Sequence, residues 1–293
     1  MNLEKKIWQY LLLFFLAFIW GSSFILMKRG MKVYSHDEVA ALRIAISFLF
    51  LLPFLFKYIH KVKKDRWKYL TIVGVFGSGI PAFLFTLAET GITSSLAGML
   101  NSLTPFFTLI LGVVIFKVPA VKGKFLGVFI GLIGALGLII SNGFDIENTP
   151  FVYALLVVIA TLCYAISVNT IKKYLGEINS IAITALSFLI IGIPAIIYLF
   201  FTDFVATTQT NPEAATALGY VAILAVIGTA LSIIIFNQLI KYTSAVFAST
   251  VTYLIPIFAI FWGVIDGEEI NFIQIVSIFI ILIGIYFVNK IKV

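Results

Sequence analysis

The chain has 293 residues, of which 61% are hydrophobic and 11% are charged, whereas soluble domains are about 45–50% apolar and about 25% charged. Its 20 basic and 13 acidic residues are too few to cover the water-exposed surface of a soluble globule of this length. The composition excludes a soluble enzyme and predicts an integral membrane protein with most of its surface in lipid.

Apolar runs of membrane length follow one another along the whole chain. Because a helix of about 20 mainly apolar residues crosses a bilayer, we predict an all-α integral membrane protein with ten transmembrane helices. No small-residue cleavage site follows the first run, so we predict a helix there and not a signal peptide. The predicted helices cover 7–27, 38–56, 69–88, 94–116, 124–141, 150–170, 180–201, 217–240, 244–265 and 270–289.

Basic residues are distributed unevenly between the connections of these helices. Sixteen of the 20 lie on the side that holds both termini, and the side richer in Lys and Arg stays in the cytoplasm. We therefore predict cytoplasmic N- and C-termini. We expect no nucleic acid partner, because the basic residues form no patch on a soluble face. Three basic residues fall on the opposite side, where they either attract anionic groups or anchor a helix end by snorkelling; they are Lys28, Arg29 and Lys32.

Metal and redox chemistry are not predicted. Cys163 is the single cysteine, and the two histidines, His36 and His60, lie far apart in predicted loops. A disulfide needs paired cysteines, and zinc, haem or iron–sulfur sites need clustered ligands. We therefore expect no metal and no cofactor.

The sequence matches itself at an offset of 144 in the first helix and of 151 in later helices. The matched pairs are Trp20 with Tyr164, Ser23 with Ser167, Lys28 with Lys172, Gly77 with Gly228, Ser78 with Thr229, Ala97 with Ala248 and Pro105 with Pro256. A repeat of five helices has odd parity, so we predict that the second copy, 150–293, crosses the membrane upside down relative to the first, 1–142. Inverted repeats of secondary transporters place the solute site near the midplane between the halves and give alternating access.

Short motifs occur in a fixed order across both halves. They are Trp20-Gly21-Ser22-Ser23-Phe24, Lys28, Arg43, Tyr242-Thr243-Ser244-Ala245, Leu254-Ile255-Pro256-Ile257, Gly267-Glu268 and Gly284. Together they resemble the EamA-type transporters of the drug/metabolite transporter superfamily, and the resemblance covers nearly the whole chain. It implies a ten-helix bundle around a central cavity in the bacterial inner (cytoplasmic) membrane, and export of small metabolites such as amino acids.

Two segments depart from the pattern of that family. Lys117-Val118-Pro119 stands where a glutamate usually occurs at the end of the fourth helix, and Tyr164-Ala165 stands where the Trp-Gly of the first copy would fall. The two halves therefore need not contribute equally to a site.

An aromatic residue and a hydroxyl share a helix face in each copy, Trp20 with Ser23 and Tyr164 with Ser167. Such pairs suit a cavity that binds a partly apolar solute. The alternative is that the hydroxyls bond neighbouring helices and the rings fill space. Both interpretations have equal support for Trp20, whereas packing is favoured for Tyr164.

Arg43 is the most costly residue to place in a membrane. It lies five residues into its predicted helix, about 7.5 Å deep at 1.5 Å per residue, where an ionisable residue is by default a functional-site candidate. A guanidinium that faces inward would bind a carboxylate or phosphate bidentately. The slightly favoured alternative is that it snorkels outward or pairs with Glu89, Asp37 or Glu38.

Prolines are predicted to kink two equivalent helices. Pro105 and Pro256 lie inside the fourth and ninth predicted helices, where each frees backbone carbonyls, and Pro81 is predicted to be a hinge near a helix end. The polar residues on the two kinked faces are candidates to line a cavity, with purely structural kinking as the alternative; they are Asn101, Thr104, Thr252 and Tyr253.

Other polar and small residues have mainly structural interpretations. Thr229 and Asn237 either extend a polar pathway or, as we favour, bond neighbouring helices. Gly127, Gly131 and Gly134 form a stripe that allows close helix approach. The stripe predicts packing within a monomer first and a homodimer interface second.

The charges inside the predicted spans also bear on the substrate. No Asp or Glu lies in the middle of a span, whereas proton relays rest on such residues. With Arg43 as the deep charge, neutral, zwitterionic or anionic solutes are favoured over cations. We predict a non-enzymatic transporter that mediates facilitated, gradient-driven efflux, with coupling through a terminal carboxylate such as Glu89 left open.

Three other functions remain as alternatives. An intramembrane lipid-handling protein or enzyme needs a nucleophile with a positioned base, or a metal. A multidrug efflux carrier is the second, and a structural membrane protein is the third.

Overall fold

The structure, a computed structural model, describes residues 4–119, 121–141, 151–265 and 271–290. Helices account for all regular elements in these ranges. They are α1 (Lys6–Gly30), α2 (His36–Tyr58), α3 (Trp67–Gly74), α4 (Ile80–Ala88), α5 (Ser94–Leu100), α6 (Thr104–Val114), α7 (Lys122–Ser141), α8 (Phe151–Tyr174), α9 (Ser180–Leu199), α10 (Phe204–Thr210), α11 (Ala214–Ala225), α12 (Ser232–Tyr242), α13 (Ala245–Ser249), α14 (Val251–Ile265) and α15 (Phe272–Lys290).

Several of these helices join into longer stretches that suit a bilayer. In the described ranges, eight stretches are long and apolar enough to cross a membrane: Lys6–Gly30, His36–Lys61, Lys64–Ala88, Leu96–Val114, Phe151–Tyr174, Ser180–Leu199, Ala214–Tyr242 and Phe272–Lys290. A shorter apolar helix covers Ala245–Phe258, and α7 adds 20 residues. The predicted all-helical membrane fold is confirmed, whereas the predicted count of ten spans is not.

The same local irregularities occur in both halves. π-helical segments join α3 to α4 (Val75–Gly79) and α11 to α12 (Val226–Leu231), and they begin 151 residues apart, which is the offset of the sequence repeat. Thr93 and Ser244 cap the helices that follow, at the same offset. Local structure therefore repeats along with the sequence. The boundaries of the predicted halves, 1–142 and 150–293, stay predictions, because residues 142 and 150 lie outside the described ranges.

The glycine stripe of α7 packs against α15 of the same chain. A Cβ atom on Gly284 would lie 2.5 Å from the backbone N of Gly131 and 2.7 Å from the carbonyl O of Gly127. One on Gly134 would lie 2.8 Å from the carbonyl O of Ser277. The helix backbones approach so closely that only glycine fits at the crossing, as small residues allow in membrane bundles.

At one end of the molecule, lysine side chains bond to the C-terminal carbonyls of helices. Lys172 Nζ donates to the carbonyl oxygens of Ile240 at 3.1 Å, Lys241 at 3.0 Å and Thr243 at 2.5 Å. These bonds satisfy carbonyls that the end of α12 leaves unpaired, and the positive charge of Lys172 opposes the negative end of the helix dipole. Lys241 Nζ donates to the carbonyl oxygen of Ile178, in the connection between α8 and α9, at 2.8 Å.

Candidate functional site

A cavity of about 130 Å³ lies between the two halves of the chain. Its walls come from α1, α2, α3, α4 and α6 of the first half and from α8, α9, α12, α13 and α14 of the second, together with both π segments. Drug-sized ligands occupy pockets of about 300–1,000 Å³, whereas a cavity of about 150 Å³ holds one benzene molecule. In this conformation the cavity therefore suits a small solute.

The walls are built from repeat-equivalent residues. The pairs at an offset of 144 are Trp20 with Tyr164, Ser23 with Ser167, Phe24 with Val168, Met27 with Ile171, Arg43 with Ser187 and Ile44 with Phe188; those at 151 are Gly77 with Gly228, Ser78 with Thr229, Ala82 with Ile233, Phe85 with Phe236, Asn101 with Thr252 and Thr104 with Ile255. Both halves thus present the same positions to one space. The two halves differ most at one pair, where the first half has the guanidinium of Arg43 and the second half has the hydroxyl of Ser187.

Two aromatic pairs follow the same symmetry. The rings of Trp20 and Phe236 meet edge to face with centroids 5.1 Å apart. Their counterparts, Tyr164 and Phe85, stack with centroids 6.0 Å apart. Aromatic pairs with such spacings stabilise apolar surfaces beyond their area alone. Each pair therefore forms a firm apolar wall of the cavity.

Trp20 and Ser23 both contact the π segment of the second half. The indole Nε1 of Trp20 donates a hydrogen bond to the carbonyl oxygen of Gly228 at 3.0 Å. A Cβ atom on Gly228 would lie 2.8 Å from Ser23 Oγ, and one on Gly77 would collide with Ser167 Oγ. A side chain at either glycine would therefore displace the facing serine hydroxyl from its position at the cavity.

Arg43 extends from α2 into the cavity and is held from one side. Its Nε donates to Thr229 Oγ1 at 2.6 Å, and Thr229 in turn donates to the carbonyl oxygen of Leu224 at 3.0 Å. The acceptor lies five residues before the threonine, a spacing that belongs to the π turn. The structure therefore places the guanidinium at the cavity wall and not at an outer interface.

Two of the three carboxylates that the sequence offered as partners of Arg43 are bonded to other groups. Asp37 Oδ2 accepts from the Tyr198 hydroxyl at 2.5 Å, and Glu38 Oε2 accepts from the backbone N–H of Ser35 at 2.9 Å, which completes the capping box of α2. Within the described part of the chain, Arg43 forms no ion pair within 4.0 Å. Its positive charge is therefore not neutralised by a contacting carboxylate there.

Amide and hydroxyl groups complete the polar part of the lining. Thr104 Oγ1 donates to the carbonyl oxygen of Asn101 at 2.8 Å and contacts its Oδ1 at 3.1 Å. Asn237 Nδ2 donates to Thr184 Oγ1 at 3.0 Å, although both side chains also line the cavity. Asn237 thus both bonds a neighbouring helix and contributes to the polar lining, the two roles that the sequence left open.

Tyr253 is the candidate residue that does not line the cavity. It is fully buried, its hydroxyl donates to the carbonyl oxygen of Val128 at 2.8 Å, and its ring fills the space beside Gly131. The predicted continuous helix is interrupted at Thr250, between α13 and α14. Consecutive residues of a helix point about 100° apart, so the Tyr253 ring packs against α7 while Thr252, its neighbour in α14, lines the cavity.

Two of the three prolines lie where a helix begins. Pro105 is in the first turn of α6, after a 3₁₀ turn at Asn101–Leu103, and Pro81 is in the first turn of α4, after a π segment. A proline there loses no helical hydrogen bond. The winding of the longer helical stretches thus changes just before Pro105 and Pro81, and Pro256 lies inside α14 as predicted. Hinge motion at these sites stays a prediction.

Several lining residues were not among the sequence candidates. Phe85, Phe236, Ser78, Thr184 and Ser187 all contribute to the wall. The sequence repeat does point to three of them, because Phe85 matches Phe236 and Ser78 matches Thr229 at the offset of 151. The π segments turn these positions inward, and no sequence pattern had predicted those segments.

The arrangement suits binding of a carboxylate next to an apolar group. Arg43 supplies a positive charge, the amides and hydroxyls supply donors and acceptors, and aromatic rings supply apolar contact. In the ranges that the structure describes, no cluster of three His, Cys, Asp or Glu side chains is placed to hold a metal ion.

Comparison with known proteins gives relatives along almost the full chain. An uncharacterized transporter of Archaeoglobus fulgidus is 25% identical, over 92% of this chain and 95% of its own length. The uncharacterized inner membrane transporter YedA of Escherichia coli K12 is 24% identical, over 94% and 89%. A protein of Chlamydia muridarum named as an S-adenosylmethionine/S-adenosylhomocysteine transporter is 24% identical, over 89% and 85%.

Fold and family comparisons cover both halves. A protein solved by crystallography superposes with a TM-score of 0.71 at 13% identity, over 95% of this chain and 96% of that one, which shows a shared fold. The model of the EamA-like transporter family matches twice, at residues 7–140 and 151–290. The two matches confirm the resemblance seen in the sequence, and the chain is a multi-pass membrane protein that belongs to the EamA-like transporter family.

Proposed function

We propose that this chain is an alternating-access exporter of small metabolites, namely amino acids and related carboxylates. In this proposal ten transmembrane helices form two inverted five-helix halves in the cytoplasmic membrane of a bacterium, with both termini in the cytoplasm. The main support is the cavity, whose walls are repeat-equivalent residues of the two halves. Inverted-repeat carriers place their solute sites at such an interface.

The charge and size of the cavity support the solute class. The Arg43 guanidinium favours a carboxylate, because a positive charge and a planar fork of donors match that group. The free volume of about 130 Å³ is close to that of the ~150 Å³ site that holds benzene. We therefore rank amino acids with a single ring or a branched aliphatic side chain first. S-adenosylmethionine, named for the chlamydial relative, also carries a carboxylate but requires a wider cavity.

Counterflow in proteoliposomes tests this proposal. Vesicles loaded with unlabelled L-phenylalanine or L-leucine are expected to take up the labelled amino acid. Vesicles that are loaded in the same way but contain no protein serve as the control. The matching amines, phenethylamine and isoamylamine, keep the apolar group but lack the carboxylate. They are expected not to compete, because nothing then neutralises Arg43.

The outcomes separate the solute classes. Competition by the amines as strong as that by the amino acids would contradict carboxylate recognition. Counterflow of neither amino acid would contradict the proposed solute class, and counterflow of S-adenosylmethionine alone would shift the class to larger solutes.

A further inference from the structure

A carboxyl group is buried just beyond the cavity. Glu89 follows the last residue of α4 and is 6% exposed. In the part of the chain that the structure describes, neither of its carboxylate oxygens has a hydrogen-bond partner within 3.5 Å, and the neighbouring hydroxyl of Ser94 is close enough to favour the ionised form. Glu89 lies one helical turn beyond the cavity residue Phe85, on the same face of the helix. Glu89 is thus a buried polar group next to the cavity, and packing gives no reason for a carboxyl group there.

The ionised form of Glu89 is disfavoured at this position. Burial removes water from the carboxylate, and the C-terminal end of a helix carries the negative end of its dipole. Just beyond the membrane-spanning stretch Lys64–Ala88, burial raises the pKa of Glu89 to about 8, although the charge of Lys28, the hydroxyl of Ser94 and the charge of Arg43 act in the opposite direction. Near neutral pH the group is therefore a neutral acid that holds a proton.

The charged groups that act on Glu89 come from two helices, and ionisable phenols lie on a third helix nearby. Lys28, on α1, has an exposed side chain. Arg43, on α2, is bonded through its Nε within the cavity. On α8, which packs along α4, the ring of Tyr153 lies beside Gly91, two residues after Glu89, and that of Tyr164 stacks on Phe85 one turn before it. Lys28 is thus the nearby cation with a side chain free to approach, since it lies at the surface.

The equivalent helix end of the second half is already bonded to a lysine. Lys172 is the repeat counterpart of Lys28, and its Nζ donates to the carbonyl oxygen of Ile240, the counterpart of Glu89, at 3.1 Å. Among the described residues, Lys28 makes no such bond to the end of α4. The lysine contact is therefore formed at the end of α12 and is not formed at the equivalent end of α4.

We propose that Glu89 is a proton-binding site that couples solute export to proton entry. This inference rests on the transport activity proposed above. In the conformation described here, the carboxylate of Glu89 takes a proton from water outside the cell. When the halves exchange conformations, Lys28 moves onto the end of α4, in the way that Lys172 now contacts the end of α12. The ammonium group of Lys28 then stabilises the ionised carboxylate of Glu89. The proton then passes to water in the cavity, which opens to the cytoplasm.

Infrared titration of the purified protein tests proton binding without any transport. The carboxylic acid C=O band of the wild type is expected to lose intensity around pH 8, where Glu89 ionises. Glu89→Gln should lack this change. Glu213→Gln, which removes an exposed glutamate, should retain it and serves as the matched control. A titration that is identical in Glu89→Gln and wild type would overturn the proposal.

Proteoliposomes with equal and unequal pH separate coupling from transport. At equal pH, L-phenylalanine counterflow is expected in wild type, Glu89→Gln and Glu213→Gln, which also shows that the variants fold. A pH difference of one unit should drive wild type and Glu213→Gln to about tenfold accumulation of L-phenylalanine if one proton moves per solute. In Glu89→Gln vesicles, L-phenylalanine should reach only equal concentrations on the two sides.

Three results would contradict coupling through Glu89. They are counterflow in the wild type without accumulation under the gradient, accumulation by Glu89→Gln equal to that of the wild type, and loss of equal-pH counterflow in Glu89→Gln. Absence of counterflow in the wild type would instead contradict the proposed function, and the infrared titration would still decide whether Glu89 binds a proton.

Discussion

Arg43→Gln is expected to lower the transport of amino acids by about 30-fold to several thousand-fold. Glutamine retains a polar side chain that reaches toward Thr229, but the positive charge at the cavity wall is lost. Removing one partner of a desolvated charge pair costs about 2–5 kcal/mol, and each ~1.4 kcal/mol corresponds to a factor of ten. The initial rate of counterflow at low solute concentration measures this loss.

Two further variants show whether the charge or the surroundings are responsible. Arg43→Lys keeps the charge but loses the planar fork and the Nε bond to Thr229, so we expect an intermediate rate. Arg29→Gln removes an exposed guanidinium from α1 and should transport like the wild type. Transport by Arg43→Gln at the wild-type rate would show that Arg43 does not bind the solute.

Gly284→Leu is expected to destabilise the protein strongly. A Cβ atom on Gly284 already lies 2.5 Å from the backbone N of Gly131 and 2.7 Å from its Cα, so α7 and α15 must separate to admit any side chain. Overpacking of a close interface costs about 1–3 kcal/mol and occasionally more. We expect a lower Tm in detergent and loss of the monodisperse peak on size exclusion, with Gly284→Ala between leucine and wild type.

Gly219→Ala is the matched control for this crossing. Gly219 lies in α11, and no atom lies within 4 Å of a Cβ atom placed on it. Alanine is favoured over glycine in a helix by about 1 kcal/mol, so the Tm should stay the same or rise. Equal Tm values for Gly284→Leu and Gly219→Ala would contradict the close packing of α7 on α15.

The sequence predicts the cavity residues best where the repeat and the helical period agree. Trp20, Ser23, Tyr164 and Ser167 lie on matched faces of uninterrupted helices, and all four line the cavity. Whether they bind solute stays a prediction. Arg43 also lines it, because the long side chain is bonded to the π segment, an interaction between distant parts of the chain that composition and spacing do not reveal.

Predictions from the sequence failed where a helix changes its period. The π segments Val75–Gly79 and Val226–Leu231 shift the face of the residues after them, so the inward positions of Phe85 and Phe236 do not follow from an ideal helix. Thr252 and Tyr253 are consecutive residues of α14 and point about 100° apart, so they cannot share a face as we predicted. Hydropathy reports burial in the membrane but not these local changes of winding.

Labelling of single cysteines from each side of the membrane tests the inverted arrangement most directly. In a Cys163→Ser background, Thr90→Cys and Tyr242→Cys mark the equivalent ends of α4 and α12, and both native side chains are exposed. Our account predicts that an impermeant maleimide labels Thr90→Cys only from outside intact cells and Tyr242→Cys only from the cytoplasmic face. Labelling of both from the same face would contradict inverted halves and the shared cavity between them.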